Sequence, residues 1–271
     1  MVTETSPRSA RGALPGRRDH PSLLTVVHTE LMRLRHGFLF WYAMLAPVVA
    51  AVPLYIGAAN SAEAAQGRYW EVFRDVSLEL WGVLVPITAG LMAALSVKAD
   101  QDPWRLMLSY GVPRSRYFVG KFVALALLQL VSTSILAVLL AMGAGLQGAL
   151  SSDLGTVLGG AYLPWLAGLG TLAVAVYVAM RWGLGAAITV GVAGMLCGAL
   201  VSDKAFWAAV PMAWPMRTIL PLAGIGPNGV PLPADSPLRD MSAIPLAIGL
   251  SLALVVVVVA AGGLYLRRKQ L

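Results

Sequence analysis

MSAIPLAIGLSLALVVVVVAAGGLYL, residues 241–266, contains no Asp, Glu, Lys or Arg, and RRKQL, residues 267–271, follows it at once. A helix needs roughly 20 apolar residues to cross the hydrocarbon layer of a bilayer. The run is long enough, and the basic cluster behind it suits a headgroup boundary. Toward the N-terminus, the runs 37–58, 80–97, 122–150, 154–180 and 182–202 are likewise free of those four residue types. Only 12% of the chain is charged and 58% is hydrophobic, against about 25% charged in a soluble domain. One soluble helical core does not account for six such runs. The sequence therefore reads as an all-α polytopic membrane protein with six transmembrane helices. The spans fall at about 38–58, 78–97, 119–142, 157–180, 183–202 and 243–266, within a transmembrane domain of residues 37–266.

Six spans put both termini on one side. That side then holds 1–36, 98–121, Arg181 and 267–271, with 15 Lys or Arg against five acids. The other side holds 59–79, 151–153 and 203–240, with five Lys or Arg against eight acids. Short loops rich in Lys and Arg stay in the cytoplasm, so both termini are expected to be cytoplasmic. The formal charge of +7 thus reads as topology and contact with anionic lipid, and a nucleic-acid partner is not indicated.

Residues 1–20, rich in Arg, Gly, Pro and Ser, read as a disordered basic tail. In PSLLTVVHTELMRLRH, 21–36, Leu23, Val27, Leu31 and Leu34 recur at helical spacing, while His28, Glu30, Arg33 and Arg35 fall largely elsewhere. This predicts an amphipathic, cytoplasmic-side interfacial helix before the first span. In the outer loop 59–79, the later half predicts a short surface helix with Tyr69, Trp70 and Phe73 toward lipid. Gly194 and Gly198 form a GxxxG pair that permits close helix contact. The external loop 203–240 begins apolar and aromatic, and is expected to fold back onto the membrane surface or dip into it. Residues 98–118 form a cytoplasmic segment, and 267–271 a cytoplasmic tail.

No signature of covalent chemistry or metal binding is present: HExxH, CxxC and GxSxG are all missing, and Gly120-Lys121 lacks the rest of a phosphate loop. The chain is not its own ATPase. The spans carry almost no ionisable residue, which an ion-coupled carrier needs at mid-depth. Any pumping must draw its energy from a partner. An integral membrane enzyme would need converging polar groups, and the spans offer chiefly Gln129, Ser132, Thr133 and Ser134. In SVKADQDPWRLMLSYGVPRSRYFVGKF, 96–122, an acid pair precedes Pro103 and Trp104. A short apolar turn follows, then a Gly-Val-Pro break and a basic lead into the third span. That order reads as a rigid docking element.

These features resemble the ABC-2-type transporter permeases, in particular the lantibiotic-immunity branch, over about residues 22–270. The resemblance rests on three stretches: the opening helix with Glu30; the inside segment with Asp100, Pro113, Arg114, Arg116, Gly120 and Lys121; and FWAAVPMAWP, with Trp207, Pro211, Trp214 and Pro215. It implies the permease subunit of an ATP-driven exporter in a bacterial cytoplasmic membrane. Its partners would be a cytoplasmic ABC ATPase, a second copy or a paralogous permease, and membrane lipids. The chain itself would bind no cofactor; ATP and Mg2+ would sit in the ATPase. ATPase coupling would fall to Glu30, Arg33, Asp100, Asp102, Trp104, Arg114 and Arg116. Tyr69, Trp70, Trp207 and Trp214 would form an apolar rim that contacts an amphipathic, lantibiotic-like peptide. A small drug or a lipid-like molecule is the alternative cargo, and a non-transporting scaffold or sensor the alternative class.

Overall fold

In hydrocarbon every backbone N–H and C=O must be satisfied within the chain, so apolar runs of this length become helices. The computed structural model describes residues 21–60, 67–100 and 114–268. Eight α-helices follow in order among these residues: α1 Leu23–Arg35, α2 Phe38–Ala59, α3 Tyr69–Lys98, α4 Arg114–Leu146, α5 Leu150–Trp182, α6 Leu184–Val201, α7 Trp214–Ala223 and α8 Ala243–Arg268. Six of them, α2 to α6 and α8, are long and apolar enough to cross a membrane. They form one bundle, with α5 at its centre packed on α3, α4, α7 and α8. Helix α2 lies at the edge against α3 and α4, and α6 lies against α3.

The expected surface helix within 59–79 is absent as a separate element. Residues 69–79 continue α3 as one 30-residue helix, and Trp70 and Phe73 are buried instead of facing lipid. The cause is a polar partner on another helix. Trp70 Nε1 and Arg74 Nη1 each donate to Asp153 Oδ2 of α5, both at 2.6 Å. A charge-assisted pair draws this face of α3 inward against α5.

Close approach between α3 and α6 occurs where both helices have glycine. A Cβ added at Gly90 would lie 2.7 Å from Gly191 Cα and 2.7 Å from the Ala187 carbonyl oxygen. The GxxxG pair serves a different neighbour: a Cβ at Gly198 would lie 2.8 Å from the carbonyl oxygen of Met212. Met212 belongs to the 203–240 segment, which turns back into the bundle. In its helix α7, Met216, Ile219 and Leu220 are fully buried, packed on α5, α3 and α8. On α5, the Ser251 hydroxyl of α8 accepts from Gly170 N (2.9 Å) and donates to Leu166 O (3.0 Å), fixing the two helices in register.

Gly90→Val should therefore cost about 1–3 kcal/mol, the range for overpacking a filled site. Gly57, with open space around its Cβ position, is the control: Gly57→Ala should leave the melting temperature of the purified protein unchanged or raise it. Equal melting temperatures for Gly90→Val and wild type would show that the two backbones do not pack as described.

Candidate functional site

Four charged side chains from three separate segments meet at one end of the bundle. Ser22 starts α1, its Oγ accepting from Thr25 N at 3.2 Å. Val26, Glu30 and Leu34, four residues apart, form the buried face of α1. This differs from the face the leucine spacing predicts: Leu23 is exposed, and Glu30 is only 3% exposed. Two features turn the helix. Gly120 of α4 has no Cβ, and one added there would lie 2.6 Å from Val26 Cγ1, so α1 lies directly on α4. That contact places Glu30 beside the next residue, Lys121.

Lys121 is 1% exposed and holds the cluster together. Its Nζ lies 2.9 Å from Glu30 Oε2, 2.6 Å from Asp100 Oδ2 and 2.9 Å from Ser96 Oγ. An ammonium has three N–H donors, and these three acceptors face it, with the Ser96 carbonyl oxygen at 3.5 Å as a fourth. Ser96 and Asp100, four apart at the end of α3, present both groups to the same point. Arg33 closes the other side: Nη1 donates to Glu30 Oε1 at 3.2 Å and Nη2 to Asp100 Oδ1. Tyr117, one turn before Lys121, donates its hydroxyl to Asp100 Oδ2. Burial alone would lower the Arg33 pKa, but Asp100 and then Glu30 outweigh it and hold it above its usual value. Two cations and two carboxylates alternate, so the cluster is neutral. It offers no activated nucleophile. What it can do is make α1, the end of α3 and the start of α4 move together.

The other anticipated residues are dispersed. Arg116 Nη1 donates to the Pro21 carbonyl oxygen at 2.9 Å, tying the start of α1 to α4. Arg114 begins α4. Asp102 and Trp104 lie outside the described residues. Tyr69 is partly buried, 5.4 Å from the Tyr55 ring. Trp70 packs in a core with Phe73 and Leu140, whereas Trp207 and Trp214 share a different core with Ala243 and Ala247. The Arg217 guanidinium lies 5.3 Å from the Trp207 ring, and Trp214 Nε1 donates to Ala208 O at 3.0 Å. The four aromatic residues do not form one rim.

Sequence reasoning assigned no coupling role to Lys121, Tyr117 or Ser96. Lys121 stands next to a long apolar run and reads there only as the end of the basic lead into the third span. The available signal was charge balance: two acids and two bases in segments that topology brings to one end. Removing one partner of a buried pair strands the other. Lys121→Met should therefore cost about 3–5 kcal/mol, read as a lower melting temperature in detergent. Glu30→Gln combined with Lys121→Met should cost less than the sum of the two single changes, because each single change leaves a buried charge behind. Strictly additive costs would show that the two side chains are not paired.

Residues 26–202 match the family described as ABC-2 family transporter protein. No curated protein matches the chain. The family match spans well over half of the chain, runs from within α1 through α6, and takes in every residue of the charge cluster. Members of this family are transport subunits and not themselves enzymes. With its six membrane-crossing helices, the chain belongs to the ABC-2 family of membrane transporter permeases.

Proposed function

We propose that this chain is the membrane subunit of an ATP-driven exporter in a bacterial cytoplasmic membrane, with both termini and the charge cluster on the cytoplasmic side. The excess of Lys and Arg at that end supports the orientation. A separate ATPase supplies the energy, and a second permease copy or a paralogue completes the unit. The cargo is an amphipathic, lantibiotic-like peptide, expelled or extracted for self-protection.

The observation that carries the coupling reading is the buried cluster itself. Glu30 and Asp100 are inaccessible, so they act as positioning residues that transmit force within the permease. Contact with the ATPase falls to Leu24 and Met32, exposed on the open face of α1, to Arg116, exposed at the start of α4, and to Asp102, Trp104 and Arg114. A push on α1 or on 98–118 then reaches α3 and α4 directly, because the ion pairs join them. A partner's binding energy biases the two transport states through that linkage. For the cargo, Tyr69 is only partly buried, whereas Trp207 and Trp214 reach a peptide only when the segment 203–223 moves, and Trp70 only when its contact with Asp153 opens.

The first test is mild extraction of tagged protein from its own membrane, with mass spectrometry of what accompanies it. A nucleotide-binding subunit in equal number is expected. Recovery without any ATPase, repeated after crosslinking, would favour a scaffold or sensor. In the recovered complex, Asp100→Lys should reduce peptide-stimulated ATP hydrolysis by about tenfold, within the usual range of coupling energies. Unchanged stimulation in an assembled Asp100→Lys complex would remove Asp100 from the coupling path.

A further inference from the structure

A cavity of about 420 Å³ opens beside the charge cluster, between α1, the start of α2 and the end of α3. Arg33, Lys98, Phe38 and Leu95 are among its lining residues, together with the largely buried Glu30 and Asp100. Those two carboxylates are already matched by Arg33 and Lys121. Lys98 is exposed at the α3 terminus and makes no ion pair among the described residues. Among the described residues the cavity therefore carries one positive charge, Lys98, without an ion-pair partner.

A second concavity, also about 420 Å³, runs along α2 and is lined by Phe38, Trp41, Tyr42, Leu45, Ala46 and Val49. Phe38 lines both, so one begins where the other ends. The groove has almost no polar surface, and Phe38, Trp41, Leu45 and Val49 are all exposed along it. From Phe38 to Val49 the helix rises about 16 Å at 1.5 Å per residue. Half of a hydrocarbon core roughly 30 Å thick is about 15 Å. The groove thus spans the acyl depth of one leaflet, and its polar end coincides with the aromatic residues that mark a headgroup level. A positively charged pocket continued by a leaflet-deep apolar groove matches one kind of molecule: an anionic amphiphile whose chain lies parallel to α2.

We propose that the cavity and groove together form a binding site for an anionic glycerophospholipid. Its phosphate is held by Lys98 with Arg33 beside it, and one acyl chain lies along Phe38, Trp41, Leu45 and Val49. The occupant comes from the surrounding bilayer and not from solution, because the groove needs a chain to fill it. The site requires membrane insertion and does not depend on which cargo is moved.

The test uses the full-length protein in an uncharged detergent. It is titrated with phosphatidylglycerol or with phosphatidylcholine of the same chain length, and bound lipid is read by native mass spectrometry. Phosphatidylglycerol should bind about fivefold more tightly, the factor that one nearby basic residue contributes at a membrane surface. Lys98→Glu should abolish that preference, and an exposed position tolerates the change without loss of fold. Ala46→Trp, which fills the groove, should weaken both lipids while keeping the preference. Equal affinity for the two lipids in the wild type would overturn the proposal and leave only non-selective boundary lipid; a preference that survives Lys98→Glu would overturn it by placing the headgroup elsewhere.

Discussion

A lysine ammonium with no access to water sets the arrangement of this protein's charged end. Lys121 is buried at the start of a membrane-crossing helix, where an unpaired charge would cost several kcal/mol. The chain meets that cost by bringing acceptors from Glu30, Asp100 and Ser96 to one nitrogen, two of them carboxylates from outside α4. Everything near it follows from that demand. Helix α1 is turned so that Glu30 points inward, the turn after α3 sets Asp100 over the lysine, and Arg33 balances the second negative charge. Gly120 removes the one side chain that would keep α1 at a distance.

The opposite end uses the same physics with different residues. Asp153 accepts from both Trp70 and Arg74, so α3 is tied to α5 at its start and to α1 and α4 at its finish. Between these polar fixings the bundle relies on close packing, as expected where lipid tails supply no hydrophobic drive between helices. Gly90 against Gly191 is one such contact. A side-chain hydroxyl laid on a backbone, Ser251 on α5, is another. The segment after α6 is part of this packing, because α7 fills space between α3, α5 and α8.

How much of this the sequence discloses depends on the kind of signal. Six apolar runs are legible because the bilayer imposes a length and a composition. The position of Glu30 is less so. Leucine spacing alone points Leu23 inward, and only a partner from 91 residues away reverses that. Trp70 illustrates the same limit, since a tryptophan beside a predicted span reads as an interfacial anchor until Asp153 is placed next to it. Gly194 and Gly198 are recognisable as a contact surface, but nothing in the local sequence says that Met212, and not another long helix, lies against it. Side chains that pair across the chain carry no local periodicity, so spacing cannot reveal them, and charge balance points to the residues without saying which of them pair.

The separation of 91 residues between Glu30 and Lys121 also has a meaning in time. During synthesis Glu30 emerges well before Lys121 exists, and Asp100 follows only after α3. Until α4 begins to form, nothing offsets the cost of taking Glu30 out of water. The first helix must therefore wait at the aqueous boundary while two later membrane segments are made and threaded. Its docking is a late step of biogenesis, and the seated helix marks a chain whose fourth helix has already entered the bilayer.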